Sequence, residues 1–375
     1  MPKISILSAF FEKHAINSPP ENCTTMDESQ IEDWILGYNN FVLYRTPSQS
    51  VMHAIRAKQT LKLQNISDLE QIKQGFVFAP FKTGTWPVIV IDNAEQTEFE
   101  IGNHIGLSTE GKRSKNISDS YSSTFKAFHK AVSNGQFSKL VLARTDNFTV
   151  AASPIPLFFD ACAAYPESFV YLFASAESGM WLGATPEILL EGSPKQMHTV
   201  ALAGTMACTN GELPDISNWD AKNRNEQKIV TDYLLAQIQT FGNILSTTTP
   251  QSVRAAHLAH LKTDIFFNIN GKDLPKLISA LHPTPAVCGL PKDEAIRFIN
   301  ENESADREYY AGFLGWYDAQ ADTRLFVNLR CMKWIDKQIV KLIAGGGILP
   351  ESELESEWRE TENKMQTLTR LNSFR

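Results

Sequence analysis

FVYLFASAESGMWLGATPEILL, residues 169–190, holds three apolar runs in close succession, Phe169–Ser175, Met180–Gly183 and Ile188–Leu190. Their aromatic and β-branched content and short, turn-like breaks predict strands. No helix-length segment separates them, so they read as strands in a run. Working outward, Lys139-Leu140-Val141-Leu142-Ala143-Arg144 predicts another strand, and Ser122–Asn134, with Phe125, Phe128 and Val132 on one face and Gly135 as a stop, a helix. Glu226–Phe241 predicts a helix through the stripe Ile229, Val230, Tyr233, Leu234, Ile238 and Phe241. Leu325–Met332 and Gln338–Ala344 predict strands, Gly345-Gly346-Gly347 a loop, and 351–372 a final helix. Strands in runs with helices between them, without regular βαβ alternation, point to a large α+β fold of mainly antiparallel sheets.

Before Asp119 the pattern is weaker. A helix over Ile31–Gly37, strands at Phe41–Tyr44, Gly75–Ala79 and Val88–Ile91, and a polar loop over Ser108–Ser120 are expected. We divide the chain at that loop into 1–118 and 119–375. With 375 residues, 43% of them hydrophobic, a large core is affordable. A net charge of −7 argues against coating nucleic acid or an anionic membrane. Five widely spaced cysteines (Cys23, Cys162, Cys208, Cys288, Cys331) form no C-x-x-C pair and read as free thiols in a reducing cytoplasm. The start, Met1-Pro2-Lys3-Ile4-Ser5, leads into a short apolar run broken by Glu12, Lys13 and His14, which is a poor signal peptide. No stretch approaches the roughly 18 apolar residues of a membrane helix.

Several charges sit where a core is expected. Lys139 shares a strand face with Val141 and Ala143. Snorkelling at an edge is one reading; burial, with the depressed pKa that makes a lysine a general base, is the other. Glu187, after Ala184-Thr185-Pro186, is an edge carboxylate or a partly buried general acid. Glu226 leans toward its helix's buried stripe, as a dipole-favoured carboxylate or a ligand to Mg2+. Glu357 and Glu360 share a face of the last helix, with Lys364 four residues on, which suits solvated Glu–Lys pairs or a metal site beside the glycine run. Arg330, inside a strand, forms a salt bridge or clamps a substrate carboxylate. His282-Pro283-Thr284-Pro285-Ala286 is a rigid turn. Walker, dinucleotide, Ser-His-Asp and H-E-x-x-H patterns are absent.

Taken in order, KLVLAR (139–144), WLGATPEILL (181–190), ALAGT (201–205), KNRNEQKIV (222–230), LHPTPAVCGLP (281–291), ADREYYAGFLGW (305–316), VNLRCMK (327–333), AGGGI (344–348) and EWRETENK (357–364) resemble the chorismate-utilising enzymes, most closely the isochorismate synthases. The resemblance implies one large α+β domain of two stacked, mainly antiparallel sheets flanked by helices. It implies Mg2+ on Glu226 and Glu360 with Glu357 close by. It implies chorismate as substrate, held by Arg330, Lys364 and the Gly346–Gly347 backbone and lined by Thr205, His260 and Ala286. Lys139 then activates water at ring C2, Glu187 protonates the departing C4 hydroxyl, and isochorismate results. Aminodeoxychorismate synthases carry a nucleophilic lysine where this chain has Ala203, and the ammonia-using anthranilate synthases lack Lys139. The HPTPA stretch favours isochorismate over salicylate as the final product. A cytoplasmic monomer with no obligatory glutamine amidotransferase is expected, serving menaquinone or siderophore synthesis. A salicylate synthase and a non-catalytic chorismate-binding subunit are the alternatives. Gln227, Asn223 and Met206-Ala207-Cys208 depart from the family pattern, and the first two are expected to weaken Mg2+ binding modestly.

Overall fold

The structure, a computed structural model, describes residues 24–92, 94–100, 111, 116–151, 153–208, 212–255 and 258–371. The N-terminal segment, Cys23, most of the loop at 108–115 and Asn372 lie outside them.

The chain-order strands are β1 Thr24–Thr25, β2 Asn40–Arg45, β3 Met52–Ala57, β4 Leu61–Leu63, β5 Gln74–Ala79, β6 Val88–Ile91, β7 Glu95–Glu100, β8 Lys139–Thr149, β9 Phe169–Ser175 and β10 Gly179–Thr185. They continue as β11 Ile188–Ser193, β12 Gln196–Ala207, β13 Gly242–Thr247, β14 Gln251–Ala255, β15 Leu258–Ile269, β16 Gly289–Leu290, β17 Phe313–Asp318, β18 Thr323–Val327, β19 Cys331–Trp334 and β20 Ile339–Ile348. Helices α1 Glu28–Ile35, α2 Asp119–Ser133, α3 Pro154–Ala164, α4 Ala221–Phe241, α5 Leu274–Leu281, α6 Lys292–Asn302 and α7 Leu354–Thr369 pack around them.

Two sheets result. The first runs β1-β7-β3-β2-β9-β10-β19-β20-β8-β16, and the second β13-β15-β12-β11-β18-β17-β5-β6-β4, with β14 on β15. Every pair is antiparallel except the short β1–β7 contact, as expected for an α+β chain. Strands from before residue 118 sit in both sheets: β2 pairs β9, and β5 pairs β17.

β9 is apolar at almost every position because both its faces are covered. Phe169, Tyr171 and Phe173 meet the second sheet, while Val170, Leu172 and Ala174 join Phe158, Leu157 and Leu368 from α3 and α7. The inter-sheet core is aromatic: Phe78 packs on Phe173 at 4.4 Å and Phe169 on Phe326 at 4.2 Å between ring centroids. Val230, Leu234 and Ile238 bring α4 into the same core. Truncating a core ring such as Phe78 costs about 3–5 kcal/mol.

Two expectations are corrected. Leu325–Met332 is not one strand: β18 ends at Val327 in the second sheet, and β19 starts at Cys331 in the first. The link turns at Arg330, whose φ of 49° is left-handed. Nor is Gly345–Gly347 a loop; it continues β20, opposite Ala143, Leu142 and Val141 of β8.

The β18–β19 crossing has a twin. The chain also changes sheets between β10 and β11, at Pro186-Glu187. β10 pairs β19 and β11 pairs β18, so the two crossings run side by side. Thr185 Oγ1 donates to Val327 O at 2.7 Å, Val327 N to Glu187 O at 2.9 Å, and Ala184 N to Arg330 O at 3.1 Å. This seam holds Glu187 and Arg330 together although they stand 143 positions apart in the sequence.

Candidate active site

A cavity opens beside the seam, with about 670 Å³ of empty space including its mouth, a size suited to a small molecule. Its walls include Glu187, Thr205, Glu226, His260, Ala286, Arg330, Gly347 and Lys364, eight of the residues expected from the sequence. Lys139, Gly346, Glu357 and Glu360 are set back from it, behind or beside the glycine strand.

Lys139 opens β8 and is fully buried, which excludes snorkelling. Its ammonium lies 2.8 Å from Glu226 Oε1. The angle is too poor for a hydrogen bond, so the ammonium is ion-paired yet short of hydrogen-bond partners.

Glu187 is 7% exposed. Burial raises its pKa to about 7, although Lys139, Lys364 and Arg330 pull the other way. A carboxyl half protonated near neutrality is matched to donating a proton.

Arg330 donates from Nη1 to Thr367 Oγ1 at 3.1 Å. Lys364 Nζ donates to Glu360 Oε1 at 2.6 Å and to Gly345 O at 2.8 Å. β19 stops pairing with β20 at Cys331–Ile343, so Gly345 and Gly347 turn their backbone groups to an open edge. Ser352 Oγ donates to the Gly347 carbonyl at 3.4 Å.

On the opposite wall, Gly204 has a φ of 74° and bulges β12. His260 Nδ1 lies 3.0 Å from Gly204 O and 3.4 Å from Thr205 Oγ1. A carbonyl only accepts, so Nδ1 carries the proton and the buried, unpartnered Nε2 is an acceptor. Burial, then Arg330 and Lys364, push the imidazole pKa down to about 3, so it is neutral at physiological pH.

Three carboxylates meet at the glycine strand. A Cβ on Gly347 would lie 2.5 Å from Glu226 Oε1, and one on Gly346 would lie 2.9 Å from Glu357 Oε2 and 3.7 Å from Glu360 Oε1. The missing side chains therefore make room for acids. Each acid holds a lysine: Glu226 with Lys139, Glu360 with Lys364, and Glu357 with Lys222 at 2.7 Å. Burial and the neighbouring Glu360 raise the Glu357 pKa against Lys222, while Lys364 overcomes burial and lowers that of Glu360. Oxygen donors of this kind suit Mg2+. Glu357 Oε2 is buried with no hydrogen bond of good geometry, which leaves it open to a cation. Among the described residues no three His, Cys, Asp or Glu side chains converge on one cation position, and each of these acids is paired with a lysine.

Two of the departures from the family pattern, Asn223 and Gln227, are held by other partners. Asn223 Oδ1 accepts from Thr205 N at 2.9 Å, and Asn223 Nδ2 donates to the helix-capping Asp220 at 2.8 Å. Gln227 Nε2 donates to Thr263 Oγ1 at 2.7 Å and Thr231 Oγ1 at 2.8 Å. Both tie α4 to the second sheet.

Sequence reasoning missed Lys222 and Tyr310. Lys222 stands four before Glu226 in the first turns of α4, a spacing that marks one helix face. Tyr310 lines the cavity, and its hydroxyl would lie 3.0 Å from a Cβ on Gly345; periodicity carries no signal for it. Among the described residues no helix is long and apolar enough to cross a membrane, and Cys162, Cys208, Cys288 and Cys331 are free.

A fold of two antiparallel sheets meeting at an acid-, arginine- and lysine-lined seam matches a known class. The chain belongs to the family described as chorismate binding enzyme, which matches residues 91–371. Among curated relatives, isochorismate synthase MenF of Escherichia coli (strain K12) is 33% identical over 249 residues, 64% of this chain and 57% of the relative. Isochorismate synthase EntC of the same strain is 32% identical over 248 residues, 64% of this chain and 63% of the relative. The match thus spans less than two thirds of these relatives' length. Among solved structures, MenF, the menaquinone-specific isochorismate synthase from Escherichia coli, superposes with a TM-score of 0.74 at 20% identity over 98% of this chain and 100% of that one. Anthranilate synthase component I from Streptococcus pneumoniae TIGR4 gives 0.64 at 16% identity, over 94% and 96%. At these identities the superpositions show the shared fold.

Proposed function

We propose that this chain is an isochorismate synthase, converting chorismate reversibly to isochorismate with Mg2+. The observation that carries the reading is Glu187: a buried carboxyl with a pKa of about 7 on the same cavity as Arg330 and Lys364. Cations there suit a substrate with two carboxylates. Lys139 acts as the base, taking a proton from water as the water oxygen bonds to ring C2. The ring double bonds shift, the C4–oxygen bond breaks, and Glu187 protonates the departing hydroxyl, which leaves as water. Thr205, neutral His260 and Ala286 line the ring's pocket, and Arg330, Lys364 and the outward backbone of Gly347 hold carboxylate. Glu226 and Glu360, with Glu357 alongside, would hold Mg2+, whose charge would neutralise a substrate carboxylate.

Ala203 lines the cavity where aminodeoxychorismate synthases carry a nucleophilic lysine, which supports water as the nucleophile. With water in that role no glutamine amidotransferase is needed. The catalytic groups all lie in 119–375, and we place the protein in the cytoplasm as a monomer, in menaquinone or siderophore synthesis. Incubation with chorismate and Mg2+, followed by product separation, tests the reading. Isochorismate alone is expected. Salicylate with pyruvate would make the chain a lyase, and no turnover would leave a chorismate-binding protein without catalysis.

A further inference from the structure

We propose that Lys222 determines which divalent cation the carboxylate cluster accepts, by occupying one oxygen of Glu357 and leaving the other free. The inference rests on the reading of Glu226, Glu357 and Glu360 as the Mg2+ site.

Glu357 is 1% exposed, and its two oxygens have different fates. Oε1 receives the Lys222 ammonium at 2.7 Å. Oε2 is buried with no hydrogen bond of good geometry and faces the Gly346 backbone beside Glu360, and the Ser352 hydroxyl is the neutral group close enough to the carboxylate to favour its charged form. The lysine comes from the first turn of α4, is a quarter exposed, and holds its ammonium on Glu357. Glu226, one turn further along α4, and Glu360, one turn along α7, complete the cluster and also act on Lys222 electrostatically.

A carboxylate with one oxygen taken by an ammonium binds a cation through the other alone. Mg2+ accepts this, because it forms a tight octahedron of single oxygens and retains waters. Ca2+ is larger, takes six to eight oxygens and gains from carboxylates that bind through both. Lys222 therefore withholds the second oxygen that Ca2+ would use. It also adds a positive charge that weakens the binding of any cation. Removing the ammonium frees both oxygens of Glu357, and Ca2+ gains more than Mg2+.

The test is calorimetric titration of Mg2+ and of Ca2+ into the full chain without chorismate, so turnover plays no part in the readout. In Lys222→Met both ions bind more tightly, and the ratio of their dissociation constants moves toward Ca2+ by about tenfold, some 1.4 kcal/mol. Adding Glu357→Gln to Lys222→Met returns the ratio toward wild type, because an amide offers a single oxygen. Glu357→Gln alone weakens both ions and keeps their ratio within about threefold, a check that does not depend on the Lys222 variant folding. A wild type that binds Mg2+ with an unchanged ratio in Lys222→Met, or a strongly shifted ratio in Glu357→Gln, overturns the role of Lys222 and leaves the metal site standing. A wild type that binds no Mg2+ overturns the metal reading, and this inference with it.

Discussion

Glu187→Gln should stabilise the protein at alkaline pH while destroying its turnover. The carboxyl is buried at the seam, and its pKa stands near 7 rather than at the ordinary 4.5. Between those values the unfolded chain has released the proton and the folded chain still holds it. The folded state then binds more protons, so stability falls as pH rises through the window and levels off above about pH 7. At about 1.4 kcal/mol per pH unit, the wild type loses about 3 kcal/mol between pH 4.5 and pH 8 through this one group. A glutamine of the same shape is neutral throughout and loses nothing there. Urea unfolding of both proteins across that range, without metal or substrate, isolates the group, because every other titration is shared. The variant's advantage should grow by about 3 kcal/mol toward pH 8, a midpoint shift on the order of 1 M urea. A difference that stays flat with pH would mean that Glu187 ionises as an ordinary carboxylate and is unsuited to giving up a proton at neutral pH.

Further outcomes follow from the same geometry. For the wild type, kcat/KM should fall as pH rises through about 7, when the free enzyme's acid loses its proton; a rate that climbs through that range would contradict the assignment. Lys139→Ala should lower kcat by about 10²–10⁴ while the circular dichroism spectrum is kept; near-normal turnover would remove it as the base. Glu360→Gln should move the Mg2+ titration to higher concentration, and an unchanged titration would take Glu360 out of the metal site. Gly347→Ala puts a methyl 2.5 Å from Glu226 Oε1 and 3.0 Å from Lys139 Cε. Activity should fall at least tenfold, and full activity would show that the glycine strand tolerates displacement.

The legible parts of the chain are those where pattern and burial agree. Phe169–Ser175 and Val88–Ile91 form the strands expected of them, because apolar β-branched and aromatic runs have no better use than a buried strand. β12 and β15 escaped notice because their buried faces are partly polar. His198 lies between Glu191 Oε1 at 2.8 Å and Asp264 Oδ1 at 2.7 Å, and such a cluster reads as loop until its partners are known. The glycine run misled for the opposite reason. Local preference makes Gly-Gly-Gly a breaker, but here each residue is small because of what crosses the strand in space. The side chains of the site were readable as anomalies, charges within apolar strands. Their partners were not, since the Lys139–Glu226 and Lys222–Glu357 pairs join segments far apart in sequence.

Leu325–Met332 reads as one strand straight through Asn328-Leu329-Arg330, yet the sheets change there. Asn328 is what divides it. Its Oδ1 accepts from Tyr171 OH at 2.5 Å, its Nδ2 donates to Tyr309 O at 2.8 Å, and its backbone N donates to Gly312 O at 2.8 Å. A buried amide satisfied from three directions fixes the chain at that point, and Arg330 follows in a left-handed conformation that an arginine adopts only when its surroundings require it. The parallel crossing at Pro186-Glu187 supplies that surrounding structure, so the strain and the acid belong to one construction. Buried ion pairs add little to stability compared with apolar packing of the same volume. A fold selected for stability alone would have no reason to set three lysine–carboxylate pairs along a strand of glycines beside this seam. The proposed chemistry on an anionic substrate, with a cation to balance it, would give that reason.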